Sequence, residues 1–204
     1  MNVSEYLKGR PVVLASGSPR RKELLAQIGI FPRIVPSGAA EDTEETQPDR
    51  MVMELARRKA LDVAGSCQAG TLVIGADTVV SVDGEILGKP GTPDRAAGMI
   101  RRISGRSHQV YTGVALVLCL EGGRTRELVF AEKTDVHVYP MDEDEILAYA
   151  NSGEPLDKAG GYGIQGKFAA YIRGIDGDYG NVVGLPLGRL CHAVKEFLGS
   201  GVTA

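Results

Sequence analysis

The chain reads as an α/β protein built on a mixed, twisted sheet with flanking helices. Short apolar segments alternate with segments of helical spacing along its whole length. Prolines stand at the starts of several helical segments, and Asp83-Gly84 is a strong hairpin signal between two strand-like runs. Residues 11–15 form a short apolar strand. Residues 19–28 read as a helix, with Leu24, Leu25 and Ile28 on one face. Residues 31–35 supply a second strand, and 39–49 are acidic and loop-like. Residues 48–64 are a helix, with Pro48 near its first position and Gly65 as its stop. Residues 71–76 and 78–82 are expected as two strands around Asp77. Thr92-Pro93-Asp94 starts a helix that runs to Ile103 and stops near Gly105. Residues 109–120 form a long strand, 121–123 turn it, and 127–139 continue as strand. Asp142 caps a helix to about Asn151, with Glu145 placed for a capping box. A glycine-rich loop over 154–167, a strand over 171–175 and a helix over 186–197 complete the order.

At 204 residues the chain is expected as a single domain, 1–204, with a core that needs no disulfide or metal staple. It is 43% hydrophobic and 24% charged, which excludes disorder, collagen and coiled coil. The net charge of −3 gives no electrostatic footprint for nucleic acid. The longest apolar run, about 113–120, is too short to span a bilayer, so no membrane partner is expected. Residues 1–10 hold no apolar export signal. Cys67, Cys119 and Cys191 are odd in number and far apart, which favours reduced thiols in cytoplasm and argues against zinc. His108, His137 and His192 are not spaced as a ligand pair. A catalytic metal, if present, must then sit mainly on carboxylates, which points to Mg²⁺ or Mn²⁺.

Several clusters carry chemistry. In Ser16-Gly17-Ser18-Pro19-Arg20-Arg21 a strand ends and a helix begins, with Ser18 at the N-cap. Cations in a first helical turn oppose the helix dipole, so Arg20 and Arg21 suggest a phosphate there, held by backbone N–H groups, hydroxyls and guanidinium groups. The alternative is a capped helix with solvated arginines. Lys59 lies on the apolar stripe of its helix, four residues from Leu55 and from Val63. It either snorkels to water or reaches a phosphate at the core's edge. Lys89 is held by Pro90 in Gly88-Lys89-Pro90 and would otherwise be an ordinary turn lysine. Asp77 stands between two apolar runs, where a carboxylate is costly unless paired or bound to metal. It is a base, a metal ligand or a turn cap. Glu41 and Asp42 are candidates to join it at a metal, unless they belong to a solvated acidic loop. Gly161–Gly166 fits GxGxxG without the strand before it or the helix after it, so it is not a dinucleotide fingerprint. It either offers close backbone approach to a ligand, with Gln165 placed to read polar edges, or is a flexible turn cluster. Glu154, Asp157 and Lys158 add charge to the same loop.

Together these segments resemble the Maf family of nucleoside triphosphate pyrophosphatases, first linked to septum formation. The matching stretches are 14–25, 56–60 around Lys59, 75–80, 88–90, 104–114, 152–166 and 181–186, in the family's order over nearly the whole chain. The tail, 199–204, carries no site. The resemblance implies two lobes around a nucleotide-binding cleft, a divalent metal, and often a homodimer. It implies hydrolysis of a nucleoside triphosphate to the monophosphate and pyrophosphate. It casts Asp77 as catalytic base; a metal on Asp77 and Glu41 comes from the residues' own chemistry, because the acidic loop 38–45 departs from the family's usual pattern. Ser16, Ser18, Arg20, Lys59 and Lys89 become phosphate ligands, and Arg21, Thr78 and Gln165 specificity positions. Arg20-Arg21 and Ala76-Asp77-Thr78 are similar to the branch acting on dTTP and UTP. The branch acting on 7-methyl-GTP carries a bulky aromatic before the arginine and another residue after the aspartate. Two rival functions are a nucleotide-binding regulator of septum formation without hydrolysis, and a nucleic-acid-binding module. The low aromatic content, 5% with no Trp, speaks against the second.

Overall fold

A computed structural model describes residues 3–199; residues 200–204 of the tail, expected to carry no site, lie outside the described residues. The elements follow the expected alternation. A short helix, α1 (Val3–Tyr6), precedes strand β1 (Val12–Leu14) and helix α2 (Pro19–Gln27). Next come β2 (Arg33–Ile34), α3 (Pro48–Ala64), β3 (Leu72–Val82), β4 (Glu85–Leu87) and α4 (Pro93–Ile103). Strands β5 (Ser107–Cys119) and β6 (Thr125–Val138) lead to α5 (Glu143–Ala150), β7 (Ile172–Asp176), α6 (Tyr179–Val183) and α7 (Leu187–Gly199). The short helices α1 and α6 have too few turns to show a periodicity, and the sequence did not predict them. The sheet order is β2-β1-β3-β5-β6-β7, with β4 paired to β3. It is mixed: β1 runs parallel to β2 and β3, while β3–β4 and β6–β7 are antiparallel.

Local chemistry explains the boundaries. Pro48 opens α3 and Gly65 closes it, as expected. Thr92 caps α4 by accepting from the Arg95 N–H, and Asp142 with Glu145 forms a full capping box on α5. Asp83 (φ 53°) and Gly84 (φ 79°) turn β3 into β4, a backbone that suits Asp-Gly. One expectation fails. Residues 71–76 and 78–82 are not separate strands: β3 runs unbroken through Asp77, because that carboxylate has a cationic partner and need not leave the sheet. Ser18 stands at the N-cap of α2 as expected; its side chain makes no cap bond, and Ser16 Oγ accepts from the Ser18 N–H at 3.3 Å.

The chain forms two compact units, each discontinuous in sequence. The first comprises Met1–Asp77, Thr112–Glu132 and Gly184–Ala204; the second comprises Thr78–Tyr111 and Lys133–Val183. In the first, small residues of α3 (Ala56, Ala60, Ala64) pack on Val13, Val73 and Val117 of the sheet. In the second, Ile100 and Ile103 of α4 join Val136, Ile146 and Phe168 in a larger, more aromatic core. Cys67, Cys119 and Cys191 are unbridged. Among the described residues no helix is long and apolar enough to cross a membrane.

The second core contains one titratable group with a measurable consequence. His108 is fully buried, with Nε2 2.7 Å from the Tyr162 hydroxyl and the two rings edge to face. Burial, helped by the charge of His137, pushes its pKa down to about 4. The unfolded chain takes up that proton near pH ~6.5, so between the two values the unfolded state binds more protons. Stability is therefore full above ~6.5 and falls as pH drops toward 4, by about 3 kcal/mol for this group. Urea midpoints measured from pH 7 to 4 should show this loss. His108→Gln should lower the midpoint at pH 7 and flatten the acid limb.

Candidate functional site

Strand β1 ends against β3, with the Ala15 N–H donating to the Ile74 carbonyl at 2.8 Å. The chain then turns through Ser16-Gly17-Ser18 into α2. Ser16 is buried, and its Oγ accepts from Arg21 Nη1 at 3.0 Å. Arg21 Nε donates to the Gly184 carbonyl at 2.9 Å. Arg21 thus ties the turn to the segment before α7 within the first unit. Burial lowers its pKa from the usual value, the Arg20 charge adds to that, and Asp77 and Glu41 oppose it. The two arginines of the first turn therefore differ. Arg20 is half-buried beside the helix start, while Arg21 is engaged inward.

The second cluster is built by α3. Lys59 sits between Ala56 and Ala60, which pack on the sheet, so its side chain is drawn along the core's edge. Its ammonium neither snorkels to water nor stands alone. It donates to Asp77 Oδ1 at 2.6 Å and to Glu41 Oε1 at 2.5 Å. The Lys59 and Asp77 side chains are only 12% and 14% exposed, whereas Glu41 is 58% exposed. A half-buried cation with two carboxylates is an ionic cluster in a poorly screened setting, and stronger than a surface pair.

How Glu41 reaches Lys59 was not anticipated. A polar row on α3, Glu54, Arg58 and Asp62, recurs every fourth residue and grips the acidic loop. Asp62 accepts from Ser37 Oγ at 2.6 Å and from the Gly38 N–H at 2.9 Å. Those bonds hold the Asp62 carboxyl below its ordinary pKa, that of Ser37 first. Arg58 donates to the carbonyls of Ala40 and Asp42 at 2.9 and 2.7 Å, and Glu54 accepts from Thr43 at 2.6 Å. The loop is bound on both sides of Glu41, which aims that side chain at Lys59. Asp42, the other candidate, contributes its backbone carbonyl to Arg58 and leaves its side chain exposed. The spacing of four along α3 was the available signal.

The second unit carries the remaining candidates. Thr78 follows Asp77 directly and is half-buried. Lys89 is exposed on its turn, and the Gly160 N–H donates to the Gly88 carbonyl at 3.0 Å, fixing that turn to the glycine-rich segment. Gln165 is exposed on the loop. Glu154 organises this loop more than its charge alone suggested. It accepts from the Tyr149 hydroxyl at 3.1 Å and from the Lys167 N–H at 3.0 Å, so it ties the loop just after Gln165 to α5. Lys158 donates to the Glu154 carbonyl at 2.6 Å. Burial and then the Glu154 charge push the Tyr149 pKa up, keeping its hydroxyl a donor.

Among the described residues no group of three or more His, Cys, Asp or Glu is arranged to hold a metal ion. Asp77 and Glu41 converge on the Lys59 ammonium. Two carboxylates are hard oxygen donors of the kind that suits magnesium or manganese.

Known proteins can be set beside this geometry. A "dTTP/UTP pyrophosphatase" from Lachnoclostridium phytofermentans is 47% identical over 186 residues, covering 91% of this chain and 94% of its own. One of the same name from Symbiobacterium thermophilum is 50% identical over 187 residues, covering 91% and 93%. A solved HAM1 protein from Coxiella burnetii is 19% identical, with a TM-score of 0.49 over 92% of this chain and 99% of its own. The family model described as "Maf-like protein" matches residues 11–197. With a match of that extent, the chain belongs to the Maf-like protein family.

Proposed function

We propose that the chain hydrolyses nucleoside triphosphates, dTTP and UTP first, to the monophosphate and pyrophosphate. The observation that carries the proposal is the Lys59 ammonium bracketed by Asp77 and Glu41. Relatives called dTTP/UTP pyrophosphatase support it. On this reading Asp77 accepts a proton from the water that attacks phosphorus. Lys59 neutralises phosphate charge and holds Asp77 in place. Ser16 already accepts two donors through its oxygen, which leaves its own O–H to donate to a phosphate oxygen. Ser18, Arg20 and Lys89 bind further phosphate oxygens, while Arg21, Thr78 and Gln165 set the base preference. Asp77 and Glu41 would hold Mg²⁺ or Mn²⁺, which supplies charge neutralisation on the triphosphate when bound. Positioning and charge neutralisation give most of the rate in such a reaction.

The test is pyrophosphate release from dTTP, UTP, CTP, 7-methyl-GTP and ITP with Mg²⁺. Turnover of dTTP and UTP is expected. Turnover of 7-methyl-GTP alone would keep the chemistry and overturn the reading of Arg21 and Thr78. Tight nucleotide binding without turnover of any of them would favour the non-catalytic regulator of septum formation.

A further inference from the structure

The first unit holds a cavity of about 810 Å³ that none of the candidate site residues lines. That volume lies within the usual range of small-molecule sites. It opens at the start of β1, beside Val12, and at Thr71, just before β3. Ser16 lies three residues beyond Val13, past the end of β1, and Asp77 lies six residues beyond Thr71 along β3. At ~3.3 Å per residue the cavity is about 10–20 Å from them. It is a separate place, not an annex of the phosphate turn.

Its lining is chemically lopsided. Arg10 and Arg33 enter it and no Asp or Glu does, although the chain is acidic overall. The ion pairs among the described residues engage other arginines. Arg10 donates through Nη1 to the Gly70 carbonyl at 2.7 Å, and its Nε is buried without an acceptor. Among the described residues Arg33 has the Cys67 sulfur, a weak acceptor, at 3.9 Å. Two guanidinium groups are thus held near one concavity with most of their donors unused. Phe31 lines the same cavity and is 81% exposed, a flat apolar face left in water. Gln68 adds an amide for a polar edge. Arginine recognises phosphate and carboxylate through its planar fork, and an exposed ring takes a flat partner by stacking.

We propose that this cavity is a second, non-catalytic binding site for a small anion that carries a planar ring, such as a ring phosphate. Arg10 and Arg33 take the anionic group, and Phe31 takes the ring. A nucleoside monophosphate and a simpler aryl phosphate share that chemistry.

The test is an NMR titration of the ¹⁵N-labelled full chain with phenyl phosphate, and with uridine monophosphate in parallel. Saturable shifts are expected at the amides of Gly29, Arg33, Gln68 and Gly70. Tighter binding of uridine monophosphate at these amides would identify nucleotides as the source, and tighter phenyl phosphate binding a simpler ring anion. Arg33 is exposed, so Arg33→Gln should keep the dispersed spectrum. That variant should weaken binding about tenfold or more, as expected for loss of a charged hydrogen bond. Its pyrophosphate release from dTTP should match that of the unaltered chain. Three results would overturn the proposal: no saturable shifts at these amides, equal shifts with phenol or with inorganic phosphate alone, or shifts confined to residues 16–21.

Discussion

Asp77→Asn should lower pyrophosphate release from dTTP by about 10²–10⁴-fold, the usual worth of a positioned general base. That is about 3–5 kcal/mol of transition-state stabilisation. Asparagine keeps the shape of the side chain and removes the proton acceptor. It also removes one of the two carboxylates on Lys59, while Glu41 still accepts from that ammonium at 2.5 Å. The lysine is not stranded, so the stability cost should be only about 1–3 kcal/mol. Circular dichroism and a cooperative urea transition should report a folded chain. The residual rate should stay above that of free solution if Lys59 and the Ser16 turn position the triphosphate as proposed. Glu41→Gln is the informative companion. Its carboxylate is mostly exposed, and if it serves only to hold a metal, extra Mg²⁺ should restore part of the lost rate. A retained wild-type rate in Asp77→Asn would remove Asp77 from the chemistry and leave the fold argument untouched.

Much of this architecture was legible because its signals are local. Pro48 and Gly65 bound α3, Asp142 and Glu145 cap α5, and Asp83-Gly84 makes the β3–β4 turn, each through contacts a few residues apart. The anomaly of Lys59 on an apolar stripe and of Asp77 between apolar runs was also legible, and the two turn out to answer each other at 2.6 Å. What the sequence hid depends on partners distant along the chain. Nothing local in Asp77 says that the strand continues through it; Lys59, 18 residues away, decides that. Nothing in Arg21 announces the Gly184 carbonyl, 163 residues on. The choice of Glu41 over Asp42 rests on how Arg58 and Asp62 grip the loop on either side. The cavity beside Phe31 escaped for the same reason, since its walls come from several separate stretches that form no motif.

Gly113→Ala should be the most damaging single methyl group in the first unit. A Cβ placed there would lie 2.1 Å from the Val52 carbonyl oxygen, 2.3 Å from its carbon and 2.7 Å from the Met53 nitrogen. These are backbone atoms of α3, which cannot rotate aside as a side chain does. Gly75 makes a similar approach one strand over: its Cβ would meet the Ala56 carbonyl oxygen at 2.3 Å and the Ala60 nitrogen at 2.9 Å. Helix α3 therefore rests on β3 and β5 through glycines, and any added carbon must lift it. Overpacking of a close-packed interior usually costs about 1–3 kcal/mol, and a rigid backbone neighbour belongs at or above the top of that range. At ~2–4 °C per kcal/mol for a chain of this size, Tm should fall by roughly 10 °C. The site should suffer as well, because Lys59 lies between Ala56 and Ala60 on the helix that moves. Lifting α3 would lengthen the Lys59–Asp77 contact, so kcat should drop in whatever fraction stays folded. Gly98→Ala is the matching control. Gly98 lies inside α4 with nothing within 4 Å of an added Cβ, so alanine there should stabilise the chain by about 0.5–1 kcal/mol. A Gly113→Ala chain that melts with the wild type would mean that α3 slides on the sheet without penalty. Proximity of its backbone to β5 would then not be what sets the position of Lys59.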